Sequence, residues 1–263
     1  RYKKKMKKER KENVDSYGAI FRVLLLTIVP VLLSTTIYNC NALLDQAVYK
    51  NIAVLQGYQS SEYGILNGIY TGKYQVLINV PIAIASALAA SSVPAVSAAF
   101  TGGKRKEVRM QISLAIRFIM VIAFPSAVGM GVLAGPIMQL LFRDSSDTAA
   151  LMLQLGSVTI LFSSLSTLSN GLLQGINRMK EPIRNALAAL VLHLLVLVGL
   201  MWFLDWNIYA VVIANAAFGL IMCILNGRSL RRYSGYRQEV KRTFVVPAIA
   251  SAGMGVVVFL VYR

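Results

Sequence analysis

The sequence predicts an all-α protein that crosses a lipid bilayer several times. Seven stretches contain no Asp, Glu, Lys or Arg, and each is long enough to span a membrane as a helix, which takes about 20 mostly apolar residues. Backbone groups in hydrocarbon must satisfy their own hydrogen bonds, and no stretch alternates like a barrel strand, so every span is expected to be helical. The windows are 23–44, 74–103, 118–142, 148–177, 185–204, 206–227 and 243–262.

The cations lie in alternate connections between these windows. Of the 27 Lys and Arg residues, 21 lie in four basic segments: 1–17, 104–109, 178–184 and 228–242. This is the positive-inside pattern, which predicts a cytoplasmic amino end and an external carboxyl end after seven crossings. Membrane topology therefore explains the formal charge of +16, and no nucleic-acid partner is expected. The longest external connection is predicted at 45–69.

Proline is frequent inside the predicted helices. Pro81 and Pro94 lie in the second window, and Pro125 and Pro136 lie in the third. A proline removes an intrahelical hydrogen bond and is tolerated where neighbouring helices or a wet cavity satisfy the backbone. We interpret this density as favouring helices that bend during transport, although kinked helices are common in membrane proteins generally.

Polar side chains form stripes at helical spacing on three of the predicted helices, whereas the last three windows are much less polar. Lipid penalises a polar face, so the stripes predict a hydrophilic cavity, although small hydroxyl groups also join helices in simple packing. The stripes are Thr27, Ser34, Tyr38, Asn41 and Asp45 in the first helix, Gln75, Asn79, Ser86 and Ser97 in the second, and Thr159, Ser163, Ser166, Thr167, Asn170, Gln174 and Asn177 in the fourth.

Six residues near these stripes are candidates for substrate binding. The two cations could anchor an anion such as a pyrophosphate, or they could extend to lipid headgroups. Amide side chains within a membrane need several hydrogen-bond partners, which favours a polar cavity around them. Asp45 has three interpretations: an ion pair with Lys73, a gate, or a solvated loop acid. The candidates are Arg22, Asn41, Asp45, Lys73, Gln75 and Asn79.

Enzyme classes lack the residues they need. The chain has no P-loop and no Ser/His/Asp arrangement, and no paired acids lie at membrane depth. The lone His193 lies in an apolar helix without a ligand set, so we expect a packed, hydrogen-bonded histidine rather than a metal ligand. We therefore expect no catalytic residues, no metal site and no cofactor.

Several motifs carry a resemblance to a known family. They are "VPAVS" at 93–97, a short basic Gly-Gly loop, "FPSAVG" at 124–129, "LAGPIMQLLF" at 133–142 and "SNGLLQGINRMKEP" at 169–182. In this order and spacing they resemble the polysaccharide-biosynthesis branch of the multidrug/oligosaccharidyl-lipid/polysaccharide (MOP) exporter superfamily. The similarity is greatest to the stage V sporulation protein B-like proteins, which are relatives of lipid II flippases.

The resemblance implies a MATE-like bundle of about fourteen helices, in two lobes of about six helices with two more. Residues 18–227 would form the second lobe and 243–263 an additional transmembrane helix. The segments 1–17 and 228–242 would be basic cytoplasmic loops, and the first lobe of the same protein would be missing. Helix packing gives no reason to expect an obligate oligomer, so we expect a monomer.

The implied function is a flippase of the bacterial cytoplasmic membrane. It would translocate an undecaprenyl-linked saccharide, such as a lipid II-type peptidoglycan or polysaccharide precursor, by alternating access. Its partners would be this lipid-linked oligosaccharide and the membrane lipids, and Arg22 and Lys73 would hold the pyrophosphate.

Three alternatives remain. Drug/cation antiporters of the superfamily place acids in their lobes, whereas no acid lies inside the seven windows; this favours an anionic lipid-linked substrate. A non-transporting membrane partner of cell-wall synthesis would be indifferent to cavity mutations. A membrane enzyme of polyprenyl-phosphate chemistry should carry clustered Asp or His near a headgroup surface, and the sequence shows no such cluster.

Overall fold

The computed structural model describes residues 16–262, except for several side chains between positions 19 and 39. The predicted basic loop 1–17 therefore lies almost entirely outside the described residues. Within the described range, the elements are helices joined by short turns, as predicted. They are α1 (Tyr17–Leu55), α2 (Ser60–Ile69), a π-helical turn (Tyr70–Tyr74), α3 (Gln75–Thr101), α4 (Arg105–Val132), α5 (Ala134–Phe142), α6 (Asp147–Gly175), α7 (Lys180–Leu204), α8 (Asn207–Ser234), a second π-helical turn (Lys241–Val245) and α9 (Val246–Tyr262).

Six helical segments within the described residues are long and apolar enough to cross a membrane. They correspond to the second to seventh windows, which confirms a polytopic helical membrane bundle. The first window, 23–44, lies within α1, a helix of 39 residues that extends over about 58 Å. Because α1 is not among the six, the seventh crossing stays a prediction, and so does the division into lobe, loop and additional helix.

The predicted connection 45–69 is mostly helical, which corrects the expectation of a loop. Helix α1 continues through Asp45 to Leu55, and a turn of only four residues (56–59) separates it from α2. Buried side chains recur every fourth residue along α1 at Asn41, Asp45, Tyr49 and Ala53. Residues four apart share one helix face, so this face packs into the bundle and carries Asp45 inside with it.

Proline explains one break in the predicted third helix. Helix α4 ends at Val132 and α5 begins at Ala134, where a single helix was expected over 118–142. Pro136 has no N–H to donate to the Val132 carbonyl four residues earlier, and proline fits the first turn of a new helix. Pro125 stays inside α4.

Helix α6 is the centre of the bundle, with α3, α4 and α8 packed around it. Glycines allow the closest approaches. A methyl group at Gly156 would lie 2.1 Å from Cε2 of Tyr74, and one at Gly219 would lie 2.9 Å from Cβ of Phe162. Such small residues bring membrane helices into contact, because lipid gives no hydrophobic drive for helices to associate. Helix α7 packs on α8, α1 packs on α7, and α9 packs on α4.

Candidate functional site

A buried polar cluster joins α1, the first π-helical turn, α7 and α8. Asp45 is 2% exposed and His193 is fully buried. We call this group the Asp45 cluster, and its members are Asn41, Asp45, Tyr70, His193 and Asn215. His193 lies about midway along α7 (Lys180–Leu204), so the cluster sits well inside the bundle, at the depth where polar groups cost most in a membrane.

The cluster is held by a chain of short hydrogen bonds. His193 Nε2 lies 2.5 Å from Asp45 Oδ1, and His193 Nδ1 lies 2.8 Å from the carbonyl oxygen of Ala214. Asn215 Nδ2 lies within donating distance of Asp45 Oδ2, at 2.8 Å, and of the Tyr70 hydroxyl, at 3.0 Å. Asn41 Nδ2 donates to Asn215 Oδ1 at 3.2 Å. Both carboxylate oxygens of Asp45 therefore have partners.

These contacts determine how many protons the pair holds. The Ala214 carbonyl can only accept, so His193 Nδ1 carries a hydrogen. The close contact between Nε2 and Asp45 Oδ1 then needs a second hydrogen between the two atoms. The pair is therefore either an imidazolium beside a carboxylate or an imidazole beside a carboxylic acid. Both forms have no net charge, which makes the pair tolerable within a membrane.

Two of the three interpretations of Asp45 are wrong. It does not pair with Lys73, because that ammonium lies 2.5 Å from Asp144 Oδ2 instead. It is not a solvated loop acid, because it lies within α1 and its side chain is buried in the bundle. Its use as a gate stays a prediction. The expectation of a packed, hydrogen-bonded His193 is confirmed.

Lys73 lies in the first π-helical turn and joins it to the connection between α5 and α6. Asp144 accepts hydrogen bonds from Lys73 and from the backbone N–H of Ser146. The bond from Lys73, followed by those from Ser146, lowers the pKa of Asp144 to about 2. This pairing leaves Lys73 less free to hold a substrate anion than we predicted.

The other predicted site residues are dispersed. Arg22 and Asn79 are exposed, on α1 and α3. Gln75 is half-buried beside the Tyr70 hydroxyl, at the edge of the Asp45 cluster. The side chains of Thr27, Ser34 and Tyr38 lie outside the described residues.

The described stripe of α1 faces α7 and α8, not α3 and α6 as the cavity prediction required. The sequence pattern predicts that α7, α8 and α9 are much less polar than the striped helices, yet α7 and α8 supply the partners of Asn41 and Asp45. A second polar cluster also includes residues of α7 and α8. In it, Asn226 of α8 donates to Ser169 and Asn170 of α6 and accepts from Asn185 of α7. A lone histidine or asparagine at the centre of an apolar window is the signal that could have identified these positions, because an unpartnered polar group there is costly.

Asp45 also corrects the argument from absent acids. No acid lies within the window 23–44, because each window was defined to stop before the first charged residue, here Asp45. Helix α1 continues beyond Asp45, and the Asp45 side chain is buried. The described part of the helical bundle therefore does hold an acid in its interior. Its presence removes the sequence-based reason for preferring an anionic substrate to a cationic one.

Comparison with known proteins gives the family context. The family model of the lipid II flippase MurJ matches residues 25–263. The chain is 29% identical to the lipid II flippase MurJ of Bacillus subtilis (strain 168) over 240 residues, which cover 87% of this chain and 42% of that protein. It is 27% identical over 188 residues to a probable lipid II flippase MurJ of Bdellovibrio bacteriovorus, covering 68% of this chain and 35% of that protein.

A third relative is the uncharacterized membrane protein YabM of Bacillus subtilis (strain 168), 29% identical over 165 residues, which cover 62% of this chain and 30% of that protein. The chain thus spans less than half the length of these curated relatives. No solved structure matches it significantly.

Proposed function

We propose, from the premise that this chain belongs to the lipid II flippase MurJ family, that the protein flips a lipid-linked saccharide across the membrane. The substrate would be an undecaprenyl-linked precursor of the lipid II type, moved by alternating access. The observation that carries this proposal is the family match over residues 25–263. The chain is a multi-pass protein of the bacterial cytoplasmic membrane.

The geometry supports distinct parts for the predicted site residues. Arg22 and Asn79 are exposed, so both are available to a substrate headgroup, and Arg22 supplies a charge that suits a pyrophosphate. Lys73 is paired with Asp144, and this ion pair would break and re-form as the bundle changes conformation. Asp45 and Asn41 would join α1 to α7 and α8 during the motion, with Gln75 at the edge of that contact.

The test is complementation with the intact protein in a bacterium depleted of its lipid II flippase, scored by survival. We expect rescue by the unaltered protein and loss of rescue by Arg22→Glu. A matched control is Lys50→Glu, which reverses another exposed cation on α1 and should rescue normally. Normal survival with Arg22→Glu would remove Arg22 from the site. Failure of the unaltered protein, with confirmed membrane expression, would contradict this substrate class.

A drug/cation antiporter is the second candidate, and the buried Asp45 favours it. An acid within the lobe is the feature that sequence reasoning required of such an exporter. Under this alternative, deletion of the gene changes drug susceptibility, and Asp45→Asn reproduces the deletion. Unchanged susceptibility in both strains would leave the lipid-linked substrate as the better candidate.

A non-transporting partner of cell-wall synthesis stays a prediction from sequence. It would require that the intact protein fails to rescue the depleted strain, and that its own role in cell-wall synthesis is insensitive to interior mutations such as Asp45→Asn and sensitive to surface mutations.

A further inference from the structure

A strongly basic cavity lies at one end of the bundle, between the start of α4 and the segment that follows α8. Its volume is about 840 Å³, and we call it the cationic cavity. Its α4 wall has polar and charged side chains three or four residues apart, which places them on one helix face. Five cations and one acid line it: Lys106, Arg109, Arg117, Arg231, Arg237 and Glu239.

An apolar cleft of about 640 Å³ adjoins this cavity, between α4, α6 and α8. Its walls include Met120 and Phe124 of α4, Leu161 and Leu165 of α6, and Ile224 of α8. The two spaces share Arg231, Tyr236 and Arg237 as common lining. A ligand could therefore place a charged end in the cationic cavity and an apolar end in the apolar cleft.

Most cations of the cationic cavity have no counter-charge in the protein. Arg117 pairs with Glu239, but its Nε has no hydrogen-bond acceptor among residues 16–262. No acid in that range pairs with the other four, Lys106, Arg109, Arg231 and Arg237. Five cations grouped with a single acid repel one another and create a local potential that attracts an anion.

Neighbouring arginines at the same end of the bundle differ, because the protein itself occupies them. Arg178 lies over the Tyr233 ring at 4.3 Å, and Arg232 contacts the same ring at 5.5 Å. Arg105 donates to the Tyr233 carbonyl oxygen of α8 at 3.1 Å, whereas Arg109 of the cationic cavity donates to the Arg105 carbonyl oxygen within its own helix at 3.3 Å. These contacts leave the three arginines less available to a ligand than the unpaired cations that line the cationic cavity.

Along α4, the lining side chains change from charged to apolar, in the same order as the headgroup and the acyl chain of a membrane lipid. Its first three turns, from Lys106 to Arg117, line the cationic cavity, and its following turns, from Ile116 to Phe124, line the apolar cleft. This end of the bundle is the side that the positive-inside pattern predicts to be cytoplasmic. Anionic lipids of that leaflet attract basic groups near the membrane surface.

We propose that the cationic cavity and the apolar cleft together bind one phospholipid with an anionic headgroup. The headgroup phosphate accepts hydrogen bonds from Arg109, Arg231 and Arg237, and one acyl chain lies in the apolar cleft. Arginine suits this task because its planar fork of donors matches phosphate oxygens. A free phosphate ion would leave the adjoining apolar cleft unused. This inference does not depend on which substrate the protein moves.

The test measures binding of a fluorescent phosphatidylglycerol to the intact purified protein in a zwitterionic detergent. We expect saturable binding that weakens with added salt, because the attraction is electrostatic. Phosphatidylcholine of the same chain length, which has the phosphate but no net charge, should compete poorly. The double variant Arg109→Gln/Arg231→Gln should bind about tenfold to thirtyfold more weakly, since each basic group near a lipid headgroup contributes about 1 kcal/mol.

The matched control is Lys104→Gln/Arg184→Gln. It removes the same charge from two exposed cations at the same end of the bundle, and neither residue lines the cationic cavity or the apolar cleft. This control should bind as the unaltered protein does. Ile224→Trp should weaken binding while keeping every cation, because it fills the apolar cleft where the acyl chain lies. The melting temperature of each variant identifies any that has lost its fold.

Several outcomes would overturn the inference. One is equal binding of phosphatidylglycerol by the arginine variant and by its matched control. Another is full displacement by inorganic phosphate together with no effect of Ile224→Trp, which would indicate a site for a free anion. A third is displacement only by undecaprenyl phosphate and not by phosphatidylglycerol, which would assign the site to the transported lipid.

Discussion

The Asp45 cluster and the cationic cavity handle charge in opposite ways. In the cluster, one acid is fully buried and each carboxylate oxygen has a protein partner. In the cavity, five cations share a single acid near the surface of the bundle. The difference shows which groups serve the protein's own structure and which are available to something outside it.

The contrast follows from the cost of moving charge out of water. A buried charge costs several kcal/mol unless a partner and hydrogen bonds compensate it. Asp45 meets that condition through His193 and Asn215. The cations of the cavity keep contact with solvent or headgroups, so they stay without protein partners at little cost. Their grouping therefore favours ligand binding more than stability.

The largest effect should come from breaking the buried pair. His193→Leu leaves the Asp45 carboxyl group buried with only its amide partner, and removing one partner of a buried charged pair costs about 3–5 kcal/mol. We expect the largest fall in melting temperature of the variants considered, measured by thermal unfolding of the intact protein in detergent.

Two matched variants sharpen this prediction. Asp45→Asn can still donate to His193 Nε2 and accept from Asn215, so it should lose much less stability than His193→Leu. The double variant Asp45→Leu/His193→Leu should recover much of the loss, because apolar replacement of a buried pair is often close to neutral. If His193→Leu were as stable as the unaltered protein, the pair would not hold α1 to α7.

The spans were predictable from the sequence, whereas the location of Asp45 was not. Charge-free windows locate helices because charges are costly in lipid. By the same rule, each window ends at the first charge, so a buried acid is always assigned to a helix end. In the structure, Asn41, Asp45, Tyr49 and Ala53 are buried at spacing four because α1 continues past the window, but these four residue types form no apolar pattern in the sequence. Its partner His193 lies 148 residues away in sequence, and no local pattern indicates such a contact.

The cationic cavity was not predictable for a different reason. The positive-inside pattern accounts for every basic connection without reference to its packing. Only the packing separates Arg105, Arg178 and Arg232, which contact Tyr233, from Arg231 and Arg237, which have no ion-pair partner among the described residues. The break between α4 and α5, in contrast, follows from Pro136 and could have been predicted.

An intermediate effect should come from Lys73→Met, because the pair with Asp144 is only partly buried. The side chains of Lys73 and Asp144 are 29% and 12% exposed, so solvent screens the pair and its loss should cost at most about 1 kcal/mol. The pKa of Asp144 is lowered to about 2. Its stabilising contribution is therefore complete above the ordinary pKa of about 4 and is lost as the pH falls through about 2.

The measurement is the difference in melting temperature between the unaltered protein and Lys73→Met, taken at several pH values. The difference should be constant near neutral pH and should shrink between pH 4 and pH 2, since Asp144 then becomes protonated in both proteins. Asp144→Asn should reproduce the neutral-pH loss, and its difference from the unaltered protein should shrink over the same pH range, because the unaltered protein loses the contribution of Asp144 there. A difference that grows on acidification would contradict the assignment of this pair.

The smallest effect, and the one most diagnostic of the contrast, should come from Arg231→Gln/Arg237→Gln. In a zwitterionic detergent without anionic lipid, removing two unpaired cations should change stability by no more than about 0.5 kcal/mol, as for most surface substitutions. Any change should be a gain, because the repulsion among the remaining cations falls. Added phosphatidylglycerol should then raise the melting temperature of the unaltered protein but not that of the variant, because a ligand that binds only the folded state stabilises it. A large loss of stability without lipid would mean that these cations are structural after all, and the contrast with the Asp45 cluster would fail.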